Sequence, residues 1–130
     1  MGIYLNPDNI QYKRLCNSPI FVDKTLLIEY TNQIIDTGNN CICVSRPRRF
    51  GKSTDANMLV AYYSKGTDSK ALFNTLNVSS CSTYLKHLNK HNVIHLNIQD
   101  FLSTTNSIDE MLFKINRMIL KDLKFKFKDV

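Results

Sequence analysis

The apolar residues of this chain recur with two kinds of spacing, and each kind predicts a different element. Spacings of three and four residues, typical of helices, occur at residues 24–35, 52–64, 68–76 and 107–121, with a helical turn at 84–89. An apolar run that ends at Ser45, typical of a strand covered on both faces of a parallel sheet, occurs at residues 41–45, and a second strand is predicted at residues 93–98. The pattern therefore predicts an α/β fold, in which helices flank a parallel sheet.

Helix-end signals support several of these elements. Asp23 is a candidate N-cap for the first helix, and Gly38 follows its end with the freedom to adopt a left-handed conformation. Ser107 and Glu110 have the spacing of a capping box, in which each side chain satisfies a free backbone donor. The helix that begins after Ser107 is consequently the best supported of the set.

The first 22 residues have a different character. They carry proline and asparagine among isolated aromatic residues, which predicts an extended arm with turns and a short strand at residues 19–22. Residues 23–130 are predicted to form the core of the domain. No repeat, low-complexity segment or linker marks a second domain within residues 1–130.

The strand predicted at residues 41–45 leads into a phosphate-loop sequence, Ser-Arg-Pro-Arg-Arg-Phe-Gly-Lys-Ser-Thr at residues 45–54. The consensus asks for glycine, four free positions, then Gly-Lys and Ser or Thr. Arg46 occupies the position of the first glycine, whereas Gly51, Lys52 and Ser53 match the second half. Such a loop predicts nucleotide binding, with Lys52 on the β- and γ-phosphates and the Ser53 hydroxyl on a metal ion.

The position of the loop before a helix strengthens this prediction. Free N–H groups and the helix dipole attract anions at a helix N-terminus, and three arginines add positive charge. The predicted nucleotide site comprises Arg48, Arg49, Phe50, Gly51, Lys52, Ser53 and Thr54, with Mg²⁺ at Ser53. The alternative interpretation is a basic surface turn between a strand and a helix.

Five stretches together resemble a known family. They are the loop at residues 45–53, the Met-Leu-Val-Ala-Tyr-Tyr run at 58–63, the Asp-Ser-Lys-Ala-Leu-Phe run at 68–73, the segment at 2–7, and residues 21–28, which contain Val-Asp-Lys-Thr at 22–25. They look like the AAA-ATPase-like domain of bacterial proteins that carry a PD-(D/E)XK nuclease-like domain farther along. The resemblance implies a P-loop NTPase-type sheet that binds ATP and Mg²⁺, and places Val22–Thr25 near the base and ribose. Arginine-rich loops commonly replace the first glycine in that family.

Parts that the family uses for hydrolysis are not found in this sequence. The resemblance calls for an acidic Walker B strand, sensor and arginine-finger positions and a lid, which are expected beyond Val130 in a longer protein. Asp100 is the remaining candidate for a carboxylate near the metal, and a cap or surface group is its plainer interpretation. Two functions remain open: ATP binding without independent hydrolysis, and a catalytically inactive basic module that binds nucleic acid or a protein.

Charge and cysteine content refine this picture. The net charge is +6, and the lysines and arginines cluster at residues 46–52 and 114–128. Three interpretations of the second cluster remain open: a solvated helix end, a lysine-protected edge strand, or a nucleic-acid contact. Cys41 and Cys43 are predicted to be buried in the sheet, and their spacing to Cys81 or to the histidines matches no zinc finger.

The start of the sequence has neither a secretory signal nor a long apolar segment, so a cytoplasmic, reduced chain is expected, with no membrane span. An apolar helix face at residues 108–119 and the exposed edge of an incomplete sheet also predict self-association.

Overall fold

The computed structural model describes residues 2–128 and shows a mainly helical chain. The α-helices are α1 (Ile10–Cys16), α2 (Leu26–Ile34), α3 (Lys52–Tyr63), α4 (Lys70–Phe73), α5 (Tyr84–His87), α6 (Ile98–Leu102) and α7 (Ile108–Lys126), and a 3-10 turn spans Asn77–Ser80. The helices predicted from the apolar spacing are confirmed at α2, α3 and α7, with shifted ends. The predicted arm instead contains α1, which lies along α3.

The predicted parallel sheet of a P-loop NTPase-type fold is wrong. Helices hold 50% of the residues, only 3% have strand character, and no sheet forms within residues 2–128. Two isolated bridges occur within residues 2–128, antiparallel between Leu5 and Ile94 and parallel between Ser64 and His91. An apolar run favours extended backbone, but a strand also needs a neighbouring backbone to accept its hydrogen bonds.

Residues 41–45 show this limitation directly. They are irregular and exposed, with 44% of Ile42 and 48% of Val44 open to solvent, and no described strand runs alongside them. The run at residues 93–98 pairs only locally, through Asn6 N–H to the Val93 carbonyl at 2.7 Å and His95 N–H to the Tyr4 carbonyl at 2.9 Å. Ile98 then begins α6, so neither apolar run is a strand of a sheet.

The main core forms where α1, α2 and α3 meet the turns after α4. Its buried members are Tyr12, Ile28, Met58, Ala61, Tyr62, Tyr63, Phe73, Val78 and Tyr84. The rings of Tyr12 and Phe73 stack at 5.1 Å between centroids, and the Tyr62 ring meets Phe73 edge-on at 5.6 Å. These aromatic contacts fix the C-terminal half of α3 against the rest of the domain.

The buried Tyr62 and Tyr63 hydroxyl groups in this core are satisfied by a polar network. The Tyr62 hydroxyl donates to the Tyr84 carbonyl at 2.7 Å and accepts from Asn32 Nδ2 at 3.0 Å. The Tyr63 hydroxyl donates to Asn32 Oδ1 at 2.6 Å. Burial raises the pKa of Tyr62 to about 12, so the phenol stays neutral and available as a donor.

A second, smaller cluster joins α6 and α7. Phe101, Met111 and Ile115 are buried there, with Tyr4 packed against Phe101. The Asp122 carboxylate of α7 accepts from the Tyr4 and Leu5 amides at 2.7 and 3.1 Å, which holds the N-terminal segment to this helix. Across residues 2–128, no helix combines the length and apolar character needed to cross a membrane.

The capping box at α7 forms only in part. Ser107 Oγ accepts from the Glu110 amide at 3.1 Å, as predicted. The Glu110 carboxylate accepts from the Asn106 amide at 3.1 Å instead of the Ser107 amide.

Candidate functional site

The phosphate-loop sequence is an exposed, irregular segment that enters α3 through Gly51. Gly51 is the N-cap and has left-handed backbone angles, φ 86° and ψ 23°. A Cβ atom at this position would lie 2.8 Å from Lys24 Nζ and 2.9 Å from Thr54 Oγ1. Backbone conformation and packing therefore both favour glycine at the start of the helix.

The backbone just before α3 alternates in handedness. Arg49 has φ 69° and Gly51 has φ 86°, while Phe50 between them does not have positive φ. Alternation of this kind can turn successive N–H groups toward one side and form an anion-binding concavity. Among residues 2–128, none accepts a hydrogen bond from the backbone N–H groups of residues 51–54. These donors face no competing protein acceptor.

The side chains of the predicted site fall into two groups. Lys52 Nζ donates to the Arg46 carbonyl at 2.8 Å, across the loop, and Thr54 Oγ1 donates to the Gly51 carbonyl at 2.6 Å. The other predicted residues, Arg48, Arg49, Phe50 and Ser53, are exposed. The structure thus concentrates Gly51, Lys52 and Thr54 at the helix start and leaves the arginines in solvent.

The Val-Asp-Lys-Thr stretch at residues 22–25 lies beside the loop, although Lys24 and Phe50 are 26 residues apart in the sequence. Lys24 Nζ donates to the Phe50 carbonyl at 3.1 Å and lies 3.5 Å from the Asp55 carboxylate of α3. Sequence reasoning missed this contact because the separation of the two segments carries no local signal. The resemblance of residues 22–25 to a family segment near the nucleotide was the sequence feature that indicated this proximity.

The prediction that Asp23 is the N-cap of α2 is wrong. The N-cap in the structure is Thr25. The Asp23 carboxylate accepts from the Thr25 amide at 2.8 Å and hydroxyl at 2.6 Å, and from the Asn77 amide at 2.8 Å. Burial opposes ionisation of Asp23, but these hydrogen bonds outweigh it and lower its pKa below the ordinary carboxyl value. Asp23 therefore joins the start of α2 to the 3-10 turn.

A cavity of about 230 Å³ opens directly beside the loop. Most of its wall is apolar or aromatic, from Tyr12, Leu15, Ile20, Phe21, Val22, Phe50 and Met58. Lys24, Arg49, Gly51, Thr54 and Asp55 complete its lining. The cavity therefore combines apolar and aromatic side chains with two cationic residues.

Asp100 lies elsewhere, exposed in α6, and the described contacts do not connect it with the loop. Ser53 is the first-turn hydroxyl nearest in sequence to Lys52, and its exposure leaves its oxygen accessible to a hydrated cation. Asp55 is the acidic residue in the first turn of α3.

The histidines and cysteines form no site of the metal-binding kind. His87 Nδ1 and His91 Nε2 lie 2.9 Å apart, but within residues 2–128 no three His, Cys, Asp or Glu side chains are grouped to hold a metal ion. Cys41 and Cys43 are exposed, so the prediction that a sheet buries them is wrong. Burial and the neighbouring His91 both lower the pKa of His87.

The second basic cluster belongs to α7, mainly to its exposed C-terminal half. Lys114, Lys121, Lys124 and Lys126 lie within that helix, which supports the solvated-helix interpretation and excludes the edge strand. Arg117 and the exposed Phe113 lie among them.

These features define a mainly helical domain with a basic loop at a helix N-terminus, next to an apolar cavity. The family model described as "Predicted AAA-ATPase" matches residues 10–129. The chain therefore belongs to this AAA-ATPase-like family. No curated protein matches it, and no solved structure does.

Proposed function

We propose that this chain binds ATP with Mg²⁺ through residues 48–54. The observation that carries the proposal is the set of free backbone N–H groups at residues 51–54 beside the Lys52 ammonium. Such donors at a helix N-terminus suit phosphate oxygens, since the helix dipole adds to their partial positive charge. Membership of the AAA-ATPase-like family supports a nucleoside triphosphate as the anion.

Lys52 is proposed to bind the β- and γ-phosphates. Its ammonium donates to the Arg46 carbonyl at 2.8 Å, a neutral acceptor that a phosphate oxygen would replace with a stronger, charge-assisted hydrogen bond. Arg48 and Arg49 are exposed and cationic, so they raise the local concentration of polyphosphate without a fixed contact. The Thr54 hydroxyl donates to the Gly51 carbonyl at 2.6 Å, and we propose that it donates to an α-phosphate oxygen instead when the nucleotide is bound.

Ser53 is proposed to hold Mg²⁺ through its hydroxyl, together with phosphate oxygens and water. Magnesium keeps several water ligands and commonly takes only one or two ligands from protein. The bound ion would neutralise charge on the phosphates, and an exposed hydroxyl in the first turn of α3 fits that requirement.

The apolar cavity is proposed to receive the nucleoside. Aromatic walls at Tyr12, Phe21 and Phe50 suit a flat base, and a volume of about 230 Å³ admits a group of that size. Gly51 and Thr54 also line this cavity, so a base bound there would lie next to the residues proposed to bind the phosphates. Adenine is inferred from the family alone.

Binding, and not turnover, is the activity that the described residues support. Hydrolysis needs a residue that orients the attacking water. Asp55, whose carboxylate lies beside the loop, is engaged by Lys24 at 3.5 Å, and the described contacts do not connect Asp100 with the site.

The test is a titration of a fluorescent ATP analogue into the wild-type chain and Lys52→Ala, with Mg²⁺ present. We expect Lys52→Ala to abolish measurable binding and to melt like the wild type, because Lys52 is exposed and fills no core space. Lys86→Ala is the matched control, since Lys86 is also an exposed lysine and pairs only with exposed Asp36 at 3.8 Å. Equal affinity of Lys52→Ala and the wild type would contradict the proposal.

A further inference from the structure

We propose that Lys24 is a positioning residue of this site, which sets the direction of the Gly51 amide and thereby prepares the loop for a polyphosphate. The inference rests on the proposed function of the loop. It assigns a role to a side chain that lies outside the phosphate-loop sequence.

The residues on both sides of Lys24 are firmly anchored. Thr25 is fully buried, and its hydroxyl donates to Asp23 at 2.6 Å and accepts from the Val78 amide at 3.0 Å. The Asp23 carboxylate also accepts from the Asn77 amide at 2.8 Å. Neighbours held in this way leave the Lys24 backbone little freedom, so its side chain is delivered to the loop from a rigid base.

The side chain makes two contacts there. Lys24 Nζ donates to the Phe50 carbonyl at 3.1 Å and lies 3.5 Å from Asp55 Oδ1 on the first turn of α3. The ammonium also occupies the space beside Gly51 that a Cβ atom would need, at 2.8 Å. Lys24 therefore bridges the last residue of the loop and the helix that follows it.

The bond to the Phe50 carbonyl determines where the next amide points. No described peptide bond is cis, and in a planar trans peptide the C=O and N–H groups point in opposite directions. A Phe50 oxygen held at Lys24 therefore turns the Gly51 N–H away from Lys24, where no described residue accepts its hydrogen. Rotation of this peptide would replace the Gly51 N–H donor at the site with the Phe50 carbonyl oxygen. That oxygen would repel an anion.

Without Lys24, the free loop would divide between the two peptide orientations. A ligand that binds only one of them loses apparent affinity in proportion to the fraction of molecules in that orientation. We expect Lys24→Met to weaken polyphosphate binding about tenfold, the typical effect of losing one hydrogen bond from a charged donor. Lys24→Arg keeps a charged donor and should recover most of the affinity.

The experiment compares wild type, Lys24→Met, Lys24→Arg and Lys86→Met by calorimetric titration with inorganic tripolyphosphate and with the ATP analogue, and by thermal melting. Lys86→Met removes the same charge at a distant exposed site. The expected result is a loss of affinity for both ligands in Lys24→Met alone, with unchanged melting temperature and rescue by arginine. Equal affinities of Lys24→Met and Lys86→Met would overturn the inference.

Two further variants separate the possible failures. If the wild type binds both ligands and Lys52→Ala does not, the proposed function is supported. The inference about Lys24 then depends only on whether Lys24→Met binds more weakly than Lys86→Met. A wild-type chain that binds neither ligand contradicts both. If Lys24→Met melts early, Lys24→Gln decides, since its shorter, neutral side chain does not replace the charged donor to the Phe50 carbonyl; we expect weaker binding of both ligands, and binding equal to that of the wild type would overturn the inference.

Discussion

The two ends of α3 differ sharply in how they are held. At the C-terminal end, Tyr62 and Tyr63 are buried, and the Asn89 side chain donates to the Ala61 and Ser64 carbonyls at 3.0 and 2.9 Å. At the N-terminal end, the loop residues are exposed and the first amides lack protein acceptors.

One helix thus joins a packed end to an open end. Segments with few buried contacts are the ones that rearrange at low energetic cost, and binding loops are commonly drawn from them. The packed end provides a fixed direction for the helix dipole, and the open end provides donors for a ligand. Stability and binding should therefore respond to mutations at different ends of α3.

The largest effect is expected from Tyr62→Ala at the packed end. The substitution removes a fully buried ring and leaves Asn32 and the Tyr84 carbonyl without their hydroxyl partner. We expect a loss of about 3–5 kcal/mol in the free energy of unfolding, from the cavity and the unpaired groups. Urea denaturation of wild type and variant measures this loss in the free energy of unfolding. Phe50→Ala, an aromatic residue 59% exposed on the loop, is the control and should change stability by less than about 0.5 kcal/mol. Similar losses in the two variants would contradict the comparison.

A smaller effect on stability, but a large one on binding, is expected from Gly51→Ala at the open end. Alanine at φ 86° costs about 1–2 kcal/mol, and its Cβ would displace Lys24 and Thr54. Gly66→Ala provides a matched control, because Gly66 has φ 91° but no atom within 4 Å of the added Cβ. Gly51→Ala should melt somewhat earlier than Gly66→Ala, because only its Cβ meets neighbouring atoms, and only Gly51→Ala should lose the ATP analogue. Retained binding in Gly51→Ala would show that the loop conformation does not matter for the ligand.

The smallest effect is expected from pH at the packed end. His87 is buried against His91, with its pKa lowered by burial and by that neighbour, so the folded state favours neutral His87. The unfolded state takes up the proton more readily, and stability should therefore be present above about pH 6.5 and be lost as pH falls below it. The surrounding charges are Lys86 and Lys90, which also oppose protonation, and Asp36, which favours it. Thermal melts of wild type and His87→Gln between pH 7.5 and 5 measure the difference. A wild-type decline no steeper than that of His87→Gln would remove His87 as its cause.

The helices could be predicted from the sequence because their information is local. Apolar spacing of three and four residues located α2, α3 and α7, and the Ser107 hydroxyl caps α7 as its spacing predicted. The Gly-Lys-Ser run was correctly placed at the start of a helix, since glycine and the residues after it set that boundary by themselves.

The sheet could not be predicted in the same way. The apolar run at residues 41–45 carries strand propensity, yet pairing depends on a second backbone that the run does not specify. The helix α1 was missed because turn-forming residues on both sides of it dominated the local signal.

The sequence by itself determined a basic loop followed by a helix, and it carried enough family signal to identify the chain as AAA-ATPase-like. Only the tertiary structure decided that Lys24 meets the Phe50 carbonyl and that an apolar cavity opens beside Gly51. The physical reason is the range of the interactions. Helix periodicity and caps act over three or four residues, whereas these contacts depend on how the packed end of α3 is fixed against α1 and α2.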